Sequence, residues 1–331
     1  MTIAFDHLFR LSDSVGLFEH AELTLPRTEH AYCVDDVARG LLVVLREPKR
    51  TGQLAELAEL YLQFVCAAQT ADGRFHNRRG LDGRWQDDST VEDCWGRALW
   101  GLGTAVARAP GSAGVALRHF DLGAGLRSPW SRASAFAALG AAEVLAVRPD
   151  HVSARELLAD AVTLIGAPAA GASWRWPEQR LRYANAALAE VLIAAGSLLA
   201  DARALADGLA MLTWLLDIET AAAGHISVTP VGGWALGEAR SGADQQPIEV
   251  ACLADACARA FDVTADPLWR RGVLACSDWF HGVNDASVPL LDPVSGGGCD
   301  GLEPAGRNEN QGAESTLAMI ATFQRAHRVA R

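Results

Sequence analysis

Six segments of the chain share one pattern, in which a polar phrase leads into a run of small and apolar residues. They begin near residues 35, 91, 129, 182, 247 and 311, so the pattern recurs about every 55 residues. Each interval between them contains a more ordinary amphipathic pattern, with apolar residues at helical spacing. These amphipathic stretches lie near 52–69, 111–125, 151–166, 202–219 and 266–281, and a short one at 3–11 completes the set. The sequence therefore predicts six helical hairpins.

A sixfold repeat of helical hairpins favours a closed ring over an open solenoid, because no polar capping repeat is visible at either end. We therefore expect an all-α fold, an (α/α)6 barrel formed by a single domain over residues 1–331. The small-residue helices would form the inner barrel and the amphipathic ones the outer wall, with short β pieces only near 225–229 and 288–291. The alternatives are a generic helical bundle or two stacked α domains, but neither explains why the polar phrases start every second helix.

Charge and composition exclude several classes of protein. The chain has 29 Lys and Arg against 40 Asp and Glu, a formal charge of −11, which argues against nucleic acid or anionic lipid as a partner. No apolar run reaches the roughly 18 to 20 residues of a membrane helix, and the start lacks a signal-peptide pattern, so we expect a cytoplasmic protein. The seven cysteines contain no CxxC pair and are expected to be reduced thiols. We expect no metal and no cofactor.

In a ring of this kind, the six polar phrases would meet at one mouth of the barrel and bring several carboxylates together. These are Asp35, Asp36, Glu92, Asp93, Asp244, Glu249 and Glu314. Helix N-termini favour anions and would keep Asp36 and Asp244 ionised, whereas a carboxyl deeper in the cavity would have a raised pKa. Opposed environments of this kind supply one base and one acid from two carboxyl groups.

Two acidic pairs and one polar patch are the sharpest candidates for site residues. Asp35 and Asp36 are surrounded in sequence by hydrogen-bonding residues, although an N-cap with a first-turn acid is the structural alternative. Glu92 and Asp93 repeat the arrangement one hairpin later, where a capping box is the alternative. The third candidate is the polar patch before the fifth inner helix, Asp244-Gln245-Gln246.

Tryptophan is unusually frequent and unevenly placed. Six of the ten tryptophans fall in or beside the loops that lead into inner helices: Trp85, Trp95, Trp130, Trp174, Trp176 and Trp234. Flat aromatic faces beside carboxylates and amides suit sugar rings, whose C–H faces stack while their hydroxyls form hydrogen bonds. Any single tryptophan is more often a core residue, so it is their distribution that favours a carbohydrate site.

Six phrases in order resemble a bacterial protein family that is fused to, or encoded beside, group 1 glycosyltransferases and mannoside phosphorylases. They are HAYCVDDVARGLLV, EDCWGRALWGLG, SPWSRASAFAALG, DQQPIEVACL, VPLLDPVSGGGCDGL and ENQGAESTLAMI. This resemblance implies the fold of the six-hairpin glycosidase superfamily and a carbohydrate substrate. A looser similarity, confined to Asp35 and Asp36, is to α-mannanases that use two adjacent aspartates. The chain departs from its nearer relatives at Ala184 and Ala187, which replace an acid and an arginine, and at Trp95, which replaces a histidine.

From these features we expect a glycoside hydrolase that acts on an oligosaccharide or glycoside by carboxylate acid–base chemistry. Asp36 and Asp93 are the expected base-side pair and Glu314 is the candidate acid. The expected substrate-binding residues are Asp35, His30, Tyr32, Arg39, Trp95, Trp176, Tyr183, Asn185, Asp244, Gln245, Gln246, Asn310 and Gln311. A glycosyltransferase or glycoside phosphorylase is the expected partner in the same pathway. The alternatives are a carbohydrate-binding toroid that has lost catalysis, and a sugar epimerase or isomerase with histidines as acid and base.

Overall fold

A computed structural model of the chain describes residues 3–50, 52–168 and 173–331. Its helices are α1 (Asp6–Leu11), α2 (Val34–Arg46), α3 (Gly52–Ala67), α4 (Asp93–Arg108), α5 (Ala113–Ala124), α6 (Ser131–Val147), α7 (Val152–Ile165), α8 (Asn185–Leu198), α9 (Ala202–Ile218), α10 (Pro247–Thr264), α11 (Pro267–Phe280) and α12 (Ala313–Val329). Each predicted segment is matched by a helix whose start lies within a few residues of the expected one.

The even-numbered helices form a closed inner ring. Each packs on the next along the chain, and α12 packs back on α2, which closes the circle. The odd-numbered helices lie outside, each against its hairpin partner, with α1 against α12. The fold is therefore the predicted (α/α)6 barrel.

Burial separates the two rings as the sequence pattern predicts. The inner helices are buried on almost all sides, as shown by α8, where twelve consecutive residues from Asn185 to Gly196 are buried. The outer helices bury one stripe; α9, for example, buries only Ala204, Gly208, Met211, Leu212 and Leu215. A helix that is apolar all round must be surrounded by other helices. The small residues of the inner helices allow those neighbours to pack closely.

Extended structure is limited to three two-stranded antiparallel ribbons within the described residues. They pair β1 (Ala21–Glu22) with β2 (Leu25–Pro26), β3 (Tyr32–Cys33) with β4 (Arg78–Arg79), and β5 (Gly301–Glu303) with β6 (Gly306–Asn308). The expected pieces near 225–229 and 288–291 form only single bridges, Thr220 with Ile226 and Leu291 with Gly298. The ribbons belong to loops at the mouth of the barrel.

Two further expectations concern the membrane and the cysteines. Among the described helices, none has both the length and the apolarity that a membrane span requires. All seven cysteines are free, as predicted, and six of them are buried.

Candidate active site at the barrel mouth

All six inner helices begin at the same end of the ring, which we call the mouth. In the described part of the chain, no inner helix has a side-chain hydrogen bond from its own N-cap residue. Three outer helices, by contrast, are capped in this way by His151, Asp201 and Asp266. The first N–H groups of a helix have no partner within it, so the mouth gathers donors that other groups must satisfy.

The mouth contains a cavity of about 350 Å³ between the starts of α2, α10 and α12. Its charged lining includes five carboxyl groups, from Glu19, Asp35, Asp36, Asp300 and Glu314. Two arginines and a histidine, Arg39, Arg78 and His20, also line it, with the amides of Gln246 and Asn308. Polar atoms therefore dominate the surface that a ligand would contact.

One arginine connects the two acids that come from neighbouring helices. Nη1 of Arg39 donates to Oδ1 of Asp36 at 2.6 Å, and Nη2 of Arg39 lies 2.7 Å from Oε2 of Glu314. Asp36 is buried, with 4% of its side chain exposed, whereas Glu314 retains 36%. The two carboxyl groups thus share one guanidinium but differ in their access to solvent.

Burial raises the pKa of Asp36 to about 7, although Arg39 acts in the opposite direction. The negative charges of Glu314, Glu19 and Asp35 add to the increase. This corrects the expectation that the helix N-terminus would keep Asp36 fully ionised. Near neutral pH, a substantial fraction of Asp36 carries a proton.

Asp35 and Asp300 also have raised pKa values, for which burial is the first cause. Asp35 accepts from Nδ2 of Asn77 at 3.1 Å, while its Oδ1 is buried and, among the described residues, has no hydrogen-bond partner. Asp300 accepts from the N–H of Gly312 at 2.8 Å, directly before α12. Both acids therefore support the cavity wall beside the Asp36–Arg39–Glu314 group.

Glu19, Cys33 and Asp36 come close enough to consider a metal, since one ligand atom of each lies within 4.8 Å of the others. Burial raises the pKa of the Cys33 thiol well above its ordinary value. Arg78 and Arg39 form ion pairs with Glu19 and Asp36. Both carboxylates of this set are therefore already paired with arginines.

A second cavity of about 360 Å³ adjoins the first and shares Gln246, Asp300 and Asn308 with it. Asp244, an expected ligand residue, lies exposed in its lining with a left-handed backbone. The two cavities together form an elongated polar cleft.

Several expected substrate-binding residues line or border this cleft. Asp35, Arg39 and Gln246 line the first cavity, and Asp244, Gln245 and Gln246 the second. The side chain of Asn310 binds the N–H of Leu23 in the loop beside the mouth. His30 is exposed, with its ring 5.0 Å from the ring of His20.

Other expected ligand residues are buried, which corrects the sequence interpretation. Trp95 is fully buried and donates its indole N–H to the Gly123 carbonyl at 3.1 Å. Trp176 is also buried and stacks on Trp214. Tyr32 is buried and donates to Asp13 at 2.6 Å. Their aromatic faces fill gaps in the protein core and are not available to a sugar ring.

Three expected amides are also not free to bind a substrate, because their side chains form hydrogen bonds to other residues of the protein. Gln245 is fully buried, with its side chain bound to Asp285 at 2.6 Å, although its residue borders the second cavity. Gln311 donates to Asp292 at 2.9 Å. Asn185 accepts from Nη2 of Arg132 at 3.0 Å. These amides fix loops and helix starts.

The third expected catalytic residue, Asp93, lies outside both cavity linings. It accepts from the hydroxyl of Tyr183 at 2.7 Å, and burial together with Asp93 raises the pKa of that tyrosine. Glu249, expected at the mouth, instead binds the N–H groups of Ala184 and Asn185 at the start of α8. Burial raises the pKa of Glu249 to about 8. Asp93, Tyr183 and Glu249 therefore form hydrogen bonds near the starts of α4 and α8, outside the two cavities.

The sequence interpretation missed three charged residues and one histidine of the first cavity: Glu19, Arg78, Asp300 and His20. Asp300 stands in a quoted phrase, CDGL, directly before the last inner helix, and that position was a usable signal. The other three come from loops without periodicity and are brought to the mouth only by the fold.

No protein-family model matches the chain, and no curated protein sequence is significantly similar to it. Solved structures are similar in fold. Cellobiose 2-epimerase from Bacillus thermoamylovorans B4167 has a TM-score of 0.73 at 10% identity, covering 98% of this chain and 95% of that one. A D-mannose isomerase has a TM-score of 0.71 at 11% identity, covering 98% and 96%. A family 9 endoglucanase, J30, has a TM-score of 0.58 at 11% identity, covering 96% and 74%.

Proposed function

We propose that this protein is a carbohydrate-active enzyme that cleaves a glycosidic bond with carboxyl groups at the barrel mouth. The observation that carries the proposal is the cavity in which Asp36 and Glu314 share Arg39, beside three further acids. The names of the similar structures support a sugar as the class of substrate. The adjoining cavity gives the cleft room for more than one sugar unit.

In this proposal Asp36 is the general acid, which reverses the roles expected from sequence. A general acid must hold a proton at working pH, and the pKa of about 7 allows Asp36 to do so. It would protonate the departing glycosidic oxygen. Glu314, more exposed and paired with Arg39, would activate water or attack the anomeric carbon. Gln246 and Asn308 would donate and accept hydrogen bonds with sugar hydroxyls.

Sugar epimerisation or isomerisation is a second candidate, because the epimerase and isomerase structures match over nearly their full lengths. One local observation agrees with it. His20 lines the first cavity, and its ring lies 5.0 Å from the ring of His30. Two imidazoles could move a proton to and from the carbon beside a sugar carbonyl.

Two variants test the hydrolase proposal: Asp36→Asn and Glu314→Gln. Each should lower the turnover of a panel of aryl glycosides and oligosaccharides by about 10²- to 10⁴-fold, because a positioned acid or base contributes that much. Asp150→Asn, in an exposed turn at the opposite end of the barrel, is the matched control and should retain activity. Near-full activity in both site variants would contradict the proposal.

The same assay run in D2O separates the second candidate from the first. Deuterium at C2 of a reducing sugar, lost in His20→Asn and retained in Asp36→Asn, would assign epimerisation. Release of a new reducing end without deuterium at C2 would assign hydrolysis. Glycan binding without any product would instead indicate a binding toroid, whose partner, from the sequence resemblance, would be a glycosyltransferase or glycoside phosphorylase.

A further inference from the structure

A small cavity lies inside the inner ring, lined only by residues of α2, α4, α10 and α12. Its volume is about 40 Å³, and most of its walls are apolar. We call it the axial cavity. Its charged lining consists of Arg39, Arg46, Arg97 and Asp255, three cations and one anion. Since arginine stays protonated in proteins, this lining carries an excess of positive charge.

Asp255, the single acid in the lining, already forms ion pairs with two arginines. Asp255 accepts two hydrogen bonds from Arg46, at 3.0 and 2.9 Å, and a third from Nε of Arg325 at 2.6 Å. Arg39 directs its two Nη atoms to Asp36 and Glu314 at the mouth. No acid of the cavity lining is therefore free to pair with Arg97.

Arg97 has only 4% of its surface exposed, yet it makes no ion pair within 4 Å and no hydrogen bond in residues 3–50, 52–168 and 173–331. None of the seven remaining residues is acidic. Asp93 and Asp35 act on Arg97 through their charge, but neither forms an ion pair with it; each accepts a hydrogen bond from a neutral side chain, Tyr183 and Asn77 respectively. Arg39, which also acts on Arg97 through its charge, has the same sign.

The ring of Phe136 compensates part of this charge, since the guanidinium carbon of Arg97 lies 3.5 Å from its centroid. A ring face, however, accepts no N–H hydrogen bond as strongly as an anion does. The Nε atoms of Arg97 and of Arg39 are both buried and lack partners among the described residues. Buried charges of this kind are normally paired.

We propose that the axial cavity binds one small inorganic anion, of about the size of chloride, between Arg97 and the Nε side of Arg39. Its volume of about 40 Å³ corresponds to roughly one to three water molecules, which is too small for a sugar or for an organic acid. The apolar walls favour a weakly hydrated ion. The site shares Arg39 with the mouth cavity, but the proposal does not depend on the proposed function.

Bromide, which resembles chloride and scatters anomalously, locates the ion directly. Crystals of the full chain grown in potassium bromide should show an anomalous peak between Arg97 and Arg39, and crystals of Arg97→Met should not. Absence of the peak in the wild type, or its persistence in Arg97→Met, would overturn the proposal.

Thermal unfolding provides an independent readout that requires no enzymatic assay. The melting temperature is compared in potassium bromide and in potassium gluconate, whose anion is too large for the cavity, at equal ionic strength. The wild type should gain about 2 °C for each tenfold increase in bromide above its dissociation constant. Arg84→Met, which changes an arginine with an 85% exposed side chain, should behave as the wild type does.

Arg97→Met should show no bromide effect and, in gluconate, should melt at or above the wild-type temperature, because it removes an unpaired buried charge. Identical behaviour of the wild type in the two salts would overturn the proposal. If Arg97→Met does not fold, the wild-type crystal and the wild-type comparison of salts still decide between the two outcomes.

Discussion

At the scale of single residues, Asp36 shows two opposed electrostatic effects within one helical turn. The N-terminus of α2 stabilises a negative charge there by about 0.3 to 1 kcal/mol. Removing a carboxylate from water costs several kcal/mol before pairing. The desolvation cost is larger, so the pKa of Asp36 rises to about 7 even with Arg39 beside it.

This pKa predicts the pH dependence of activity. If Asp36 is the general acid, kcat/KM should fall as pH rises through about 7, because the carboxyl then loses its proton. Glu19→Gln removes a negative charge that raises the pKa of Asp36, so its alkaline limb should move to lower pH. The measurement is the pH profile of kcat/KM for both proteins.

Asp150→Asn, an exposed acid far from the mouth, should leave this alkaline limb unchanged. A rate that stays constant between pH 6 and 8, or a limb that moves upward in Glu19→Gln, would contradict the acid role of Asp36.

The sequence could predict only some of the residues that line the mouth. Asp36 and Glu314 could be predicted as site residues because each falls in the first turn of an inner helix, where the repeat fixes its position along the chain. Glu19 comes from a loop with no period. Trp95 lies in the same first turn as an expected site residue, but rotation about the helix axis directs it into the core. Periodicity gives the position along the axis more readily than the direction of a side chain.

At the scale of elements, α4 and α6 show how closely two neighbouring inner helices pack. Glycines allow it: a Cβ on Gly103 would lie 2.1 Å from the Gly140 carbonyl oxygen, and one on Gly140 would lie 2.2 Å from the Leu99 carbonyl oxygen. The backbones of the two helices therefore touch directly. The sequence predicted both helices from their apolar periodicity, but not which glycines lie between them.

Gly140→Ala should destabilise the protein by about 1 to 3 kcal/mol, because the new methyl group meets backbone that cannot move aside. Urea unfolding followed by circular dichroism measures the change. Gly114→Ala, in the exposed face of α5 with nothing within 4 Å of the added Cβ, is the matched control. It should stabilise by about 0.5 to 1 kcal/mol; equal effects of the two substitutions would argue against close packing of α4 and α6.

At the scale of the whole molecule, the ring must join its first and last inner helices. The sequence predicted closure from the sixfold repeat, but it gave no sign of the ion pairs that accompany it. Asp255 on α10 binds Arg46 on α2 and Arg325 on α12, so three helices far apart in sequence meet at one carboxylate. Against the effect of burial, the Arg325 and Arg46 guanidinium groups hold the pKa of Asp255 well below its usual range.

Asp255→Asn should therefore weaken the closed ring. It leaves two buried guanidinium groups without their common counterion, and breaking a buried pair in this way costs about 3 to 5 kcal/mol. Asp262→Asn, on the same helix, is the matched control: its partner is Arg328, and both side chains are more than 40% exposed. An exposed pair contributes at most about 1 kcal/mol. Urea unfolding of both variants should give clearly different midpoints; equal midpoints would show that the Asp255 group does not stabilise closure.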